Sequence, residues 1–333
     1  MKGISKVLVL VCLAFFFIGA AGVQAAQKVV VVSGVSKARA EEVGTYLAVY
    51  DGIEAALSEK GITPEFQYAE LGAAPDKATK EKRGKEAAEK AMAADPDVVV
   101  VLDDECVKYV GLEVAKQIPV VFGYIFSAPK ALGLPQPNIT GITRRSYAPD
   151  IWSLANQLFG AKTVALLSKD SQSMAGVRKV LMANADKLEQ GTGVRVEEMY
   201  LCDTFDQWSD HVKNWKQDLI YLADTSRIQK ADGTTMSRSE LTSWTVENAE
   251  VPVIAAAEKD AEAGAVFAVV ASERQNGYQA GKMALKILDG TPVSEIPMEE
   301  STKGNLLINA KTVEKMGVDI PYDVLSSADK IYE

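Results

Sequence analysis

The strongest constraint on this chain is an alternation of short, nearly all-apolar runs with amphipathic helical patterns, which restarts half-way along. Val29–Val32 and Val98–Val101 are uninterrupted valine runs. A strand wetted on one face would alternate apolar and polar residues, so such runs call for a parallel sheet covered on both sides. The first series reads as strands at Val29–Val32, Ile62–Tyr68, Val98–Leu102 and Val120–Phe126. Between them lie helices: one through Tyr46, Leu47, Tyr50 and Ile53 that stops at Gly61, one at Lys77–Ala93 that stops before Asp95-Pro96, and one at Glu105–Lys116. The second series has strands at Thr163–Leu167, Val194–Tyr200, Leu219–Ala223, Pro252–Ala256 and Val266–Val270. Its helices include Met174–Glu189, capped by Ser171 or Ser173, and one carrying the stripe Phe205, Trp208, Val212 and Trp215. Ser237-Arg238-Ser239-Glu240 is a capping box that opens another. Strand–helix alternation repeated twice predicts an α/β protein of two doubly wound parallel-sheet lobes.

The chain is 333 residues long, enough for two such domains. Residues 1–25 have a basic start (Lys2, Lys6), an apolar run Val7–Ile18 and a small-residue end at Val23-Gln24-Ala25. That is the layout of a cleaved secretory signal peptide, and the apolar run is too short to span a bilayer. Hinges are expected near Gly141–Pro149 and Ala271–Asn276. The stretch Arg227–Met236 reads either as a hairpin turning at Asp232-Gly233 or as an irregular loop.

Composition narrows the chemistry. The net charge is −9, and −11 once the two lysines of residues 1–25 are removed, which argues against nucleic acid as a partner. With one histidine, His211, read as a solvated surface residue, no His-pair zinc site can form. Cys106 and Cys202 are expected to be free, part-buried thiols in different lobes. There is no phosphate loop, since Gly277-Tyr278-Gln279-Ala280-Gly281-Lys282 has the wrong spacing, and no G-x-S-x-G elbow. An enzyme is therefore the weakest reading, and no cofactor is expected. Asp103-Asp104-Glu105, between a strand and a helix, suits helix capping or ligand binding. Tyr124 and Phe126, after the next strand, suit either a core or ligand stacking.

Ile118-Pro119-Val120-Val121-Phe122 and Asn138-Ile139-Thr140-Gly141-Ile142 resemble a signature of ABC-transporter substrate-binding proteins, of the type that includes tryptophan-binding components. The C-terminal region is similar too, in Gly277–Lys282, Gly290-Thr291-Pro292, Ile296-Pro297, Leu307-Ile308-Asn309 and Lys315–Val318. The resemblance implies a type I periplasmic-binding-protein fold whose lobes are joined by a three-stranded hinge. It places 26–143 plus 274–290 in the N-terminal lobe and 144–272 plus 291–333 in the C-terminal lobe. It also implies an exported, monomeric, periplasmic carrier that hands a small molecule to a membrane permease driven by a cytoplasmic ATPase. A ligand sensor for a membrane signalling receptor is the alternative. By position, ligand contacts would come from Ser33, Ser36, Asp103, Asp104, Glu105, Tyr124 and Phe126 in the first lobe. Ser171, Ser173, Asp224, Thr225 and Glu258 would supply them in the second. Five of these are acids at strand ends, and no Lys or Arg is as regularly placed. A closed cleft holding them would need an amino-acid-like, amine or polyol ligand.

Overall fold

The computed structural model describes residues 27–42 and 44–333, so the expected leader at 1–25 lies outside the described residues. Numbered along the chain, the strands are β1 Val29–Ser33, β2 Glu65–Tyr68, β3 Val98–Leu102, β4 Val120–Gly123, β5 Ile139–Thr143, β6 Thr163–Lys169, β7 Arg195–Cys202 and β8 Leu219–Leu222. Then come β9 Ile228–Gln229, β10 Thr235–Met236, β11 Val253–Ala255, β12 Phe267–Ala271, β13 Glu299–Glu300, β14 Gly304–Asn309 and β15 Lys330–Tyr332. One sheet has the order β13-β5-β4-β3-β1-β2 and the other β15-β14-β12-β11-β8-β6-β7. All pairings in the first are parallel; in the second only β14, against β12, is antiparallel. Of the two readings of Arg227–Met236 the hairpin is the one present, as β9–β10, turning through Gly233 at φ 81°.

The valine runs behave as their composition demands. Val29, Val31, Val98 and Val100 pack with Ile53 and Leu57 of the helix Thr45–Ser58 and with Met283 and Leu285 of the helix Glu273–Leu288. Val30, Val32, Val99 and Val101 face the other way, onto Ala88 and Ala91 of the helix Lys77–Ala93. The two helices on the first face touch backbone to backbone. A Cβ on Gly277 would lie 2.0 Å from the Val49 carbonyl oxygen, so only glycine fits there. All four tryptophans lie in the second lobe, and Trp152 and Trp208 are fully buried in its two cores. Cys106 and Cys202 are free and buried, one in each lobe.

The chain crosses between sheets three times: after β5, after β12 and between β13 and β14. The last crossing falls at Ser301–Lys303, beyond the 290/291 boundary that the resemblance implies. After the helix Glu273–Leu288 the chain runs on along the first lobe, where Glu299 pairs with Ile142 and Glu300 with Thr143. Three elements also differ from the sequence reading. β4 stops at Gly123 because Tyr124 takes φ 55°. The helix at 174–189 is two helices, Gln172–Ala183 and Ala185–Thr192. The helix after β3 contains a wide turn at Val107–Gly111.

Candidate functional site

β5 and β12 pass directly into crossovers at their C-terminal ends, so the C-terminal edges of both sheets face one cleft, the usual ligand position in open α/β folds. The first lobe presents an aromatic rim. Tyr124 packs edge-on against Tyr46 at 4.9 Å and against Phe126 at 5.0 Å between ring centroids. Its left-handed backbone is held by Asn276, whose Oδ1 accepts from the Tyr124 N–H at 2.8 Å, and its hydroxyl shares a 2.9 Å bond with Thr45. Phe126 is 59% exposed, and the Arg144 guanidinium lies 4.1 Å from its ring centre. Arg144, on the first crossover, also pairs with Glu273, on the second. Its Nε is buried and has no protein partner among the described residues. Burial pushes the Glu273 carboxyl above its ordinary range against the opposing pull of Arg144. The third crossover is tied in by the Tyr147 hydroxyl, which donates to the Lys303 carbonyl at 2.9 Å.

The acids of the first lobe have protein partners. Asp103 accepts from the Cys106 N–H at 2.9 Å and from the Tyr46 hydroxyl at 3.4 Å. Burial pushes its carboxyl up to about 6 even though the Cys106, Glu105 and Gly34 backbone amides oppose the rise. Asp104 accepts from the Phe126 N–H at 2.8 Å and from the Ser127 hydroxyl at 2.6 Å, so it shapes the aromatic loop. Glu105 pairs with Lys80. Ser33 is buried at the end of β1 with its Oγ unpartnered among the described residues, whereas Ser36 caps the helix Lys37–Glu42 by accepting from the Arg39 N–H.

The second lobe presents a charged rim. Asp224 Oδ1 accepts from the Ser226 N–H at 2.9 Å and from Arg238 at 3.4 Å, while Oδ2 has no protein partner among the described residues. Thr225 turns inward and donates to Asp260 at 2.9 Å. Ser171 caps the helix Gln172–Ala183, and Ser173 lines a cavity of about 1260 Å³ between that helix and the helices Ala148–Phe159 and Ala185–Thr192. Glu258 is tied to the C-terminal strand by Lys330 and by the Tyr332 hydroxyl. His211 is half-buried instead of solvated: its ring stacks on Tyr200 at 4.1 Å, and burial lowers its pKa.

The sequence reading of several uncompensated acids with no cation among them does not match this geometry. Arg144 and Arg238 stand at the cleft, and Lys80 and Lys330 neutralise two acids at its margins. Sequence reasoning missed Arg144, Glu273, Tyr46, Arg238 and Asp260. Arg238 carried a signal as the first helical residue of a legible capping box, and Arg144 and Glu273 fall within the two expected hinges.

The profile of the family "ABC transporter substrate binding protein" matches residues 41–332. The chain belongs to that family. Among curated relatives of this substrate-binding protein, the "Tyrosine-binding protein" of Clostridioides difficile (strain R20291) is 26% identical over 101 residues. That match covers 30% of this chain and 27% of the relative's length. Among solved structures, the ligand-free, open form of a substrate-binding protein with adhesive properties from Clostridium difficile superposes with TM-score 0.66 at 19% identity. The superposition covers 92% of this chain and 99% of that one. An ABC domain in complex with L-Trp from Streptococcus pneumoniae superposes with TM-score 0.50 at 20% identity, covering 91% and 100%. These likenesses show the same two-lobed α/β fold, of the type I periplasmic-binding-protein class.

Proposed function

We propose that this substrate-binding protein works outside the cytoplasm, as a monomer, closing on a small amino-acid-like molecule and delivering it to a membrane permease powered by a cytoplasmic ATPase. The observation that carries the ligand class is the pairing of unlike rims. Arg144, stacked on Phe126, faces a lobe whose Asp224 keeps a carboxylate oxygen free of protein donors among the described residues. A ligand bearing a carboxylate, an ammonium and an aromatic body would answer Arg144, Asp224 and the Tyr46–Tyr124–Phe126 rim in turn. The tyrosine- and L-Trp-binding relatives support that class. No catalytic role is assigned to any residue.

The test is calorimetric titration of L-tryptophan, L-tyrosine and L-phenylalanine beside spermidine and a panel of hexoses, with small-angle scattering of each complex. Aromatic amino acids are expected to bind and to reduce the radius of gyration, since a ligand touching both lobes stabilises the closed form. Binding of spermidine or a hexose alone would overturn the ligand class. Tight binding with an unchanged radius would overturn capture by closure.

A further inference from the structure

Asp260 is fully buried on the short helix Glu258–Glu262, and no ligand in the cleft can reach it. Its Oδ1 accepts from the hydroxyls of Thr225 at 2.9 Å and Thr242 at 2.7 Å, and its Oδ2 accepts from Arg238 Nη1 at 2.9 Å. A buried carboxylate needs a cation and full hydrogen bonding, and Asp260 has both. Arg238 is rooted from below, because Ser237 and Glu240 complete the capping box around it. Its second nitrogen, Nη2, reaches only the inner oxygen of Asp224, at 3.4 Å. One guanidinium thus serves two carboxylates, and the buried one holds it in the closer contact.

We propose that Asp260 is a positioning residue: by holding Arg238 back, it keeps the outer oxygen of Asp224 open for a ligand cation and so sets the preference of the cleft for an ammonium group. If that hold is lost, Arg238 is free to close on Asp224 in the two-point geometry that guanidinium and carboxylate favour, occupying the oxygen the ligand would use. Thr225 sits beside Asp224 on the same loop, so the contacts of Asp260 fix both ends of the excursion that carries the hairpin β9–β10.

The inference rests on the amino-acid reading above, and the test separates the two. Asp260→Asn keeps an acceptor for both threonines but turns an N–H2 toward Arg238. The readout is the affinity ratio of L-tryptophan to indole-3-propionate, which differ only in the amine. Asp260→Asn is expected to lower that ratio tenfold or more. Adding Arg238→Met, which removes the occluding cation, is expected to bring it back to within about threefold of the parent. Thr242→Val, which loses one hydroxyl and leaves the ion pair, is expected to leave the ratio unchanged. An unchanged ratio in Asp260→Asn, or a fall that Arg238→Met does not reverse, would overturn the proposal, as would an equal fall in Thr242→Val. If Asp260→Asn does not fold, the double variant decides alone, since a tenfold lower ratio in it contradicts occlusion. If the parent binds neither probe, the amino-acid reading fails. The crystal structure of ligand-free Asp260→Asn then judges the inference: Arg238 closed on both oxygens of Asp224 supports it, and Arg238 in its parental place refutes it.

Discussion

The first five strands of each lobe share one order, β2-β1-β3-β4-β5 and β7-β6-β8-β11-β12, yet the lobes carry opposite chemistry on the edges that face each other. The first turns its acids inward, where Asp103 and Asp104 serve backbone amides, and shows rings to the cleft. The second buries Thr225 and Asp260 in a polar network and shows a carboxylate. Parallel sheets dictate where the edge loops lie, and the loops alone decide what those edges bind. Exposed acids in a sequence are therefore not by themselves a count of charges available to a ligand.

The first lobe should lose stability as pH rises, whereas His211 in the second lobe acts in the opposite sense. Asp103 titrates at about 6 in the folded protein against 3.8 for the ordinary group, which makes its charged form about 3 kcal/mol less favourable when folded. The folded value is raised, so the contribution to stability is complete below pH 3.8 and is lost as pH rises through 6. Relative to Asp103→Asn, the parent should lose stability by up to that amount between pH 4 and 6.5, measured by urea unfolding. Equal pH slopes in the two proteins would remove Asp103 as the cause. Asp104→Asn comes next. Replacing a charged acceptor of several loop hydrogen bonds should cost about 1.5–3 kcal/mol. Because every tryptophan lies in the second lobe, the loss should appear in far-ultraviolet circular dichroism at lower urea than in tryptophan fluorescence. Coincident transitions would show that the lobes unfold as one unit. Gly277→Ala should separate the same two signals by about 1–3 kcal/mol, since the added methyl meets the Val49 carbonyl and the helices must move apart. Phe126→Ala should have the smallest effect on stability, within about 0.5 kcal/mol, because the ring is exposed. It should still weaken L-tryptophan several-fold in calorimetry, and an unchanged affinity would take Phe126 out of the rim.

Much of the fold was legible because its signals are local. The valine runs, the proline after Asp95 and the capping box at Ser237 each act within a few residues, and β1, β3 and the helices Lys77–Ala93 and Arg238–Asn248 lie where those signals point. The site was less legible because its residues acquire their roles from distant partners. Arg144 is an unremarkable basic residue until Phe126 and Glu273 are brought to it. Asp104 looks like a cleft acid until the left-handed turn at Tyr124 swings the amides of 126 and 127 onto it. Glu258 follows a strand as expected, but Lys330 comes from the end of the chain to claim it.

The triple crossing also sets an order of events for a chain that emerges from its N-terminus. By Thr143 the first lobe has five of its six strands, yet the apolar face bearing Val121 and Ile53 waits for Met283 and Leu285, and β5 waits for Glu299 and Glu300. The second lobe, begun in the interval, waits in turn for β14 and for β15 at Lys330–Tyr332. Neither sheet has all of its described strands before Glu299. Each sheet is completed only by strands that follow the chain's visit to the other lobe, so the two lobes are threaded through one another in sequence.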